Sequence, residues 1–372
     1  MKVVTGLVAA VLALGCMEGG RGAPATPAPG ASGSKVYVAN EDDGTLSVIA
    51  VESNTVAGTI DFKVEVDGKG WMYMLHNVQA APDGKSIWAT GLPMAGSKGA
   101  SSSDMSPAPT AAAAAEDQVF VVDPSMDMIV ARIPIGTGMH PAHVVLDPES
   151  STAYVTANEA NEVLAIDAKT YAVTKHFPLG KDHGPHGMRW CAGQLWIANM
   201  TAKSVTMLDP KSGMVMDMDV GGVAVQTACM PDGKSVFASL YDTKEVVRLP
   251  VSGGALTRIA LPDGAQGPIQ LYPSSDGHHL YVCDQGNLEG RPPSNKLYVI
   301  DVEEATVTAT IEVGQAAHGV VVSDDGDRIY VTNTLDDTVS VIDAADQEVV
   351  ATVKVGGAPN GVAHWHVTGG MP

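Results

Sequence analysis

The sequence predicts an all-β chain folded as one seven-bladed β-propeller that its own C-terminal strand closes. Three observations predict it. Seven short strands led by an aromatic residue recur along the chain, roughly 40 residues apart. Each belongs to a group of four β-branched-rich segments separated by turn residues, the pattern of a propeller blade. The first group lacks its opening strand, while the C-terminus carries one left over, Gly357-Ala358-Pro359-Asn360-Gly361-Val362-Ala363-His364-Trp365. A helical solenoid is excluded, because no useful length of the chain has a 3.6-residue hydrophobic period.

From the N-terminus, residues 1–15 read as a signal peptide. Lys2 supplies a positive charge, residues 3–14 are apolar but too short to span a bilayer comfortably, and the small Gly15 precedes Cys16. This segment resembles a bacterial lipoprotein signal, which implies Cys16 as a lipid-modified N-terminus. It departs from that pattern at Ala13 and Leu14, where a large aliphatic and then a small residue are usual. Plain secretion with cleavage near Gly15 or Ala23 is the alternative. Either way the expected location is extracytoplasmic, with the membrane reached through a lipid anchor only. Residues 16–34, rich in Gly, Pro and Ala, cannot bury a core and are expected to form a tether.

The propeller is expected over residues 35–366, with 367–372 as a tail. Its aromatic-led strands are Val36-Tyr37-Val38-Ala39-Asn40, Ile87-Trp88-Ala89-Thr90, Tyr154-Val155-Thr156-Ala157-Asn158, Trp196-Ile197-Ala198-Asn199, Phe237-Ala238-Ser239, Tyr281-Val282-Cys283-Asp284 and Tyr330-Val331-Thr332-Asn333. A strand that often ends in Asp follows each, as in Leu164-Ala165-Ile166-Asp167. A turn then leads to an outer strand such as Val350-Ala351-Thr352-Val353. Tight turns carrying Asp83-Gly84, Asp232-Gly233, Asp276-Gly277 and Asp325-Gly326 precede several of the aromatic strands, because Gly accepts positive φ. Insertions at residues 92–117 and 286–295 lie between second and third strands, so both are expected on the top face. The first, of low complexity, is expected to be mobile, and the two either cover a binding site there or are insertions tolerated in surface loops.

Apart from Cys16, the chain has Cys191, Cys229 and Cys283. Cys191 and Cys229 fall late on the innermost strands of neighbouring blades and are either a disulfide or two buried thiols. No Cys-x-x-Cys occurs, so a haem attachment motif is absent.

The strand Tyr330-Val331-Thr332-Asn333 and its relatives resemble the YVTN-type β-propeller repeat family over nearly all of residues 35–366. That resemblance implies the fold and an exported protein, and it names no reaction; whether the chain is an enzyme stays open.

The formal net charge of −20 disfavours nucleic acid and favours a small cationic ligand or a basic protein. Aligning the blades on their aromatic strands puts His76, His186 and His318 at the start of three innermost strands. Asn360 holds that position in blade one, and His143, Gln226 and Gln270 lie beside it in blades three, five and six. A ring converges such residues on one axis, and imidazole binds first-row transition metals. The expected role is a binding or scaffold module at the cell envelope, with its ligand site on the top face of the channel at Asn360, Gln226 and Gln270. The alternative is a metalloprotein, redox-active or not, with copper or zinc at His76, His143, His186 and His318. Met74, Met139 and Met188 are candidate soft ligands beside them, and a repeated structural hydrogen-bonding residue is the plainer explanation of the histidines.

Overall fold

A strand group that is apolar on both faces must be covered on both, and a ring of such groups does this without free ends. A computed structural model describes residues 33–96, 104–106 and 109–366. The signal peptide, Cys16, the tether up to residue 32 and the tail 367–372 lie outside the described residues. The chain forms seven antiparallel sheets, six of four strands and one of five. The sheet of blade one has its innermost strand, Pro359–Trp365, hydrogen-bonded to Lys35–Asn40, with Trp365 opposite Lys35 and Pro359 opposite Asn40. The C-terminal strand therefore closes the ring, as the leftover segment implies, and blade one has its full four strands.

The repeated residues each have a structural task. The leading aromatics Tyr37, Trp88, Trp196, Phe237 and Tyr330 are fully buried between blades. Trp88, for example, packs with Val121, Val144 and Val155 between blades two and three. The repeated Asn ties its own hairpin: Asn333 Nδ2 donates to Thr338 and Ser340, as Asn40 does to Thr45 and Ser47. The hydroxyl before it joins neighbouring blades. Thr156 Oγ1 accepts the His143 N–H of its own blade and donates to the His186 carbonyl of the next, and Thr90 and Thr332 do the same at their seams.

Blade two departs from the expectation. Its innermost strand, Lys69–Ala80, begins well before His76 and pairs with an extra strand, Val64–Val66, and with a second strand, Ile87–Ala95, that absorbs the start of the insertion. Among the described residues of that insertion, Asp104 bridges to Ile129 on the outer strand of the same blade and takes the Arg132 Nε, while Ala111–Ala114 form one helical turn capped by Thr110. That turn is tied to the innermost strand, where the Tyr73 hydroxyl donates to the Ala114 carbonyl at 2.9 Å. The second insertion is shorter than expected, because Gly286 pairs with Pro293 and only a turn remains.

Candidate metal centre

The site is built by one backbone feature repeated seven times. In every blade the first residue of the innermost strand, or Leu75 in blade two, pairs with the second strand; two residues then oppose one, and pairing resumes. A bulge of this kind re-aims side chains at the end of a ladder. The bulged pairs are His76-Asn77, Ala142-His143, His186-Gly187, Val225-Gln226, Ile269-Gln270, His318-Gly319 and Asn360-Gly361. Each blade thus delivers at least one polar side chain to the top of the channel.

Three imidazoles meet there. His76, His143 and His186 each offer a ring nitrogen within 4.8 Å of the others. His76 Nε2 lies 3.2 Å from His186 Nε2. His186 Nδ1 faces the Val225 carbonyl at 2.9 Å, so Nδ1 carries the proton and Nε2 presents its lone pair inward. His143 is held in a polar frame. Its Nδ1 and Nε2 each lie 3.3 Å from an amide nitrogen, of Gln226 and Gln270 respectively, and those two amides bond each other at 2.7 Å. A neutral imidazole accepts at one nitrogen only, so one of these contacts is not a hydrogen bond.

His318 stands apart from the three. Its ring centroid is 6.5 Å from that of His76, and its Nδ1 donates to Gln285 Oε1 at 2.7 Å. The Nε2 left over is buried with no partner. Asn360 Nδ2 donates to Glu41 Oε2 at 2.8 Å and lies 3.3 Å from His76 Nδ1. Glu41 Oε1 is 4.0 Å from the same nitrogen.

Burial sets the electrostatics. It pushes His143 well below the ordinary histidine value, helped by the neighbouring imidazoles and Arg189. Burial and His76 together lower His186 to about 3 and His318 to about 3. Burial alone would raise Glu41, but contact with His76 and the Asn360 hydrogen bond outweigh it and hold the carboxyl at about 2. His143, His186 and His318 are therefore neutral imidazoles, the state in which histidine ligates metal, and one carboxylate stands at the rim.

The candidate residues of the sequence thus divide by position. His76, His143 and His186 converge, His318 faces them from farther off, and Asn360, Gln226 and Gln270 hold the imidazoles in place. Of the candidate methionines, Met188 is core between blades three and four, and Met139 packs against the seam of blades two and three. Sequence reasoning missed Glu41 and Gln285, whose signal is positional: each directly follows the last residue of an aromatic strand, Asn40 or Asp284. Lower on the innermost strands, Cys191 and Cys229 form a disulfide joining blades four and five, while Cys283 is a buried free thiol.

Residues 184–358, which span blades four to seven, match the family model described as the SMP-30/Gluconolactonase/LRE-like region. No curated protein matches the chain. Among solved structures, a functionally unknown protein from Desulfotomaculum acetoxidans is similar at a TM-score of 0.66 and 12% identity, with 89% of this chain and 99% of that one covered. Streptogramin B lyase gives 0.61 and 15%, covering 79% and 91%. Virginiamycin B lyase from Staphylococcus aureus gives 0.60 and 13%, covering 79% and 92%. At these identities the likeness is one of fold.

Proposed function

We propose that the chain is an extracytoplasmic propeller that binds a transition metal ion, copper or zinc, at the top of its channel through His76, His143 and His186. The observation that carries this reading is the 3.2 Å between His76 Nε2 and His186 Nε2. Two nitrogens on one tetrahedral ion at about 2.0–2.1 Å stand about 3.3 Å apart. In the metal-free protein the same distance is filled by one proton, with His76 Nε2 donating to the lone pair of His186. An ion there takes the place of that proton, which moves to His76 Nδ1 on the side of Glu41. A carboxylate behind a ligating imidazole is the usual support of such a centre.

Of the partners that an acidic chain admits, a small cation is the one these side chains suit. Copper and zinc both accept imidazole, and a three-histidine site leaves a position open for an exogenous ligand. The buried, unpartnered Nε2 of His318, whose ring centre is 6.5 Å from that of His76, is left to accept a hydrogen bond from such a ligand. Export is supported by the disulfide, which forms and persists in oxidising compartments, and by the lipoprotein-like leader ending at Cys16. The Tyr-Val-Thr-Asn type of repeat, common in exported propellers, points the same way.

The test is calorimetric titration of the chelator-treated protein with Zn(II) and Cu(II). Wild type is expected to take up one ion in the micromolar range or tighter, and His186→Ala and His76→Ala to lose that uptake while keeping the wild-type melting profile. Absence of binding to wild type, or equal binding by the variants, overturns the metal reading and leaves a binding module for some other ligand.

A further inference from the structure

The outermost strand of blade four, Met214–Asp219, reads Met-Val-Met-Asp-Met-Asp. Its register against Ser204–Asp209 is unbroken: Met216 lies opposite Met207, Met218 opposite Val205, and Asp217 opposite Thr206. Side chains alternate along a strand, so Met214, Met216, Met218 and Met207 share one face. Successive members of the row are about 7 Å apart along the strand, and the cross-strand pair Met207 and Met216 is about 5 Å apart at Cβ. Thioether arms of three rotatable bonds can close both gaps.

Packing explains only part of the row: Met207 is buried in the core shared by blades four and five and Met218 packs against it, whereas Met214 is 51% exposed and Met216 46%, at the rim of the propeller. By register, the outer strands of blades one and six carry Gly58 and Ala309 where Met216 stands, and Ile60 and Ile311 where Met218 stands. In blade four both of those positions, and Met214 before them, carry a thioether sulfur instead. The carboxylates of Asp217 and Asp219 turn to the opposite side, where Asp217 accepts from Thr206 and pairs with His183. The face is therefore sulfur without competing hard ligands from its own strand.

We propose that these thioethers form a surface site for a soft monovalent metal ion, Cu(I) or its stable analogue Ag(I). Thioether sulfur selects such ions over Zn(II), which prefers the imidazoles of the channel. The site is independent of the channel centre: blade four's Met row lies on its outermost strand and His186 on its innermost.

The experiment is titration of the mature protein with Ag(I), followed by calorimetry and by the methyl resonances of 13C-methionine. Met214→Leu/Met216→Leu/Met218→Leu conserves volume and should fold as wild type. It is expected to lose one class of Ag(I) sites and to keep its Zn(II) uptake, while His186→Ala keeps that Ag(I) class. In wild type the methyls of Met214, Met216 and Met218 should shift on addition of Ag(I). An unchanged Ag(I) isotherm in the triple variant, or methyl signals that stay in place while Ag(I) binds elsewhere, overturns the proposal. Either result leaves the channel reading untouched, because that one is decided by Zn(II) and the histidine variants.

Discussion

The two halves of the channel rim present polar groups by different means. In blades four, seven and one the first bulge residue is polar and the second is glycine: His186-Gly187, His318-Gly319, Asn360-Gly361. In blades three, five and six the first is apolar and the second polar: Ala142-His143, Val225-Gln226, Ile269-Gln270. The contacts follow this division. His76 meets His186 and Asn360, all first-position residues, whereas His143 meets Gln226 and Gln270, all second-position residues. The bulge therefore makes two tiers, separated by about one strand residue, or roughly 3.3 Å. The candidate centre is where His143 of the lower tier comes within reach of the upper one. One repeated backbone device can thus yield a site of low symmetry, simply by changing which of two positions carries the side chain.

The largest expected effect comes from removing what holds both tiers in one ring. Deleting residues 356–372 removes the innermost strand of blade one, its Trp365 hydrogen bond to Gly84 and the Asn360 support of Glu41. Thermal melting is expected to lose its cooperativity, and a truncated protein that melts as wild type would refute the closure account. A smaller effect is expected at the glycines. A Cβ on Gly361 would stand 2.8 Å from the Asn77 Cα and 2.9 Å from the Val78 nitrogen, which are backbone atoms that cannot turn aside. Gly361→Ala should cost about 1–3 kcal/mol in urea denaturation. The point of comparison is the second position of blade three, where the strand already accommodates the Cβ of His143. A neutral Gly361→Ala would mean that the upper tier does not depend on close approach of adjacent strands.

The fold was legible because its determinants are repeated. The aromatic, hydroxyl and Asn positions recur with the same tasks, so seven weak signals add up, and the missing first strand and spare last one define the closure. The site was only partly legible. His76, His186, His318 and Asn360 could be aligned as equals, but nothing in the spacing marks the bulge, so His143, Gln226 and Gln270 read as near misses rather than a second tier. Glu41 and Gln285 escaped because neither belongs to the repeated aromatic, hydroxyl and Asn positions: Glu41 opens the turn after its strand, and Gln285 lies in a strand that runs on to Gly286. The Asp104 and Arg132 pair, which ties part of the insertion at residues 92–117 to the outer strand of its own blade, joins residues that no local pattern links.

A third test separates the support of the upper tier from its ligands. Glu41→Gln keeps the shape and the Asn360 contact but removes the charge behind His76. Zn(II) affinity is expected to fall about 10- to 100-fold, the usual effect of losing a carboxylate behind a ligating imidazole. The lower-tier change Gln270→Met should weaken binding less, since it loosens the frame of His143 without touching charge. If Glu41→Gln binds as wild type, Glu41 has no part in holding His76.

The last test is one of pH on the chelator-treated protein. His186 and His318 have an ordinary value of 6.5 and are held at about 3 in the folded chain, and His143 is lowered in the same direction, in each case by burial first. Between those values the unfolded chain binds protons that the folded one refuses, so stability is whole above about pH 6.5 and falls as pH drops towards 3. Glu41 adds a loss of the same sign lower down, from its ordinary 4.5 towards 2, since its carboxylate is favoured in the folded state. Urea unfolding from about pH 7 to about pH 5 should therefore show a declining midpoint. His318→Gln should flatten that decline without removing any of the three proposed ligands. With Zn(II) present the decline should steepen, because protons then compete with the ion for the same nitrogens. A midpoint that stays level across this range in the metal-free protein would mean that the folded channel accepts protons as readily as water does.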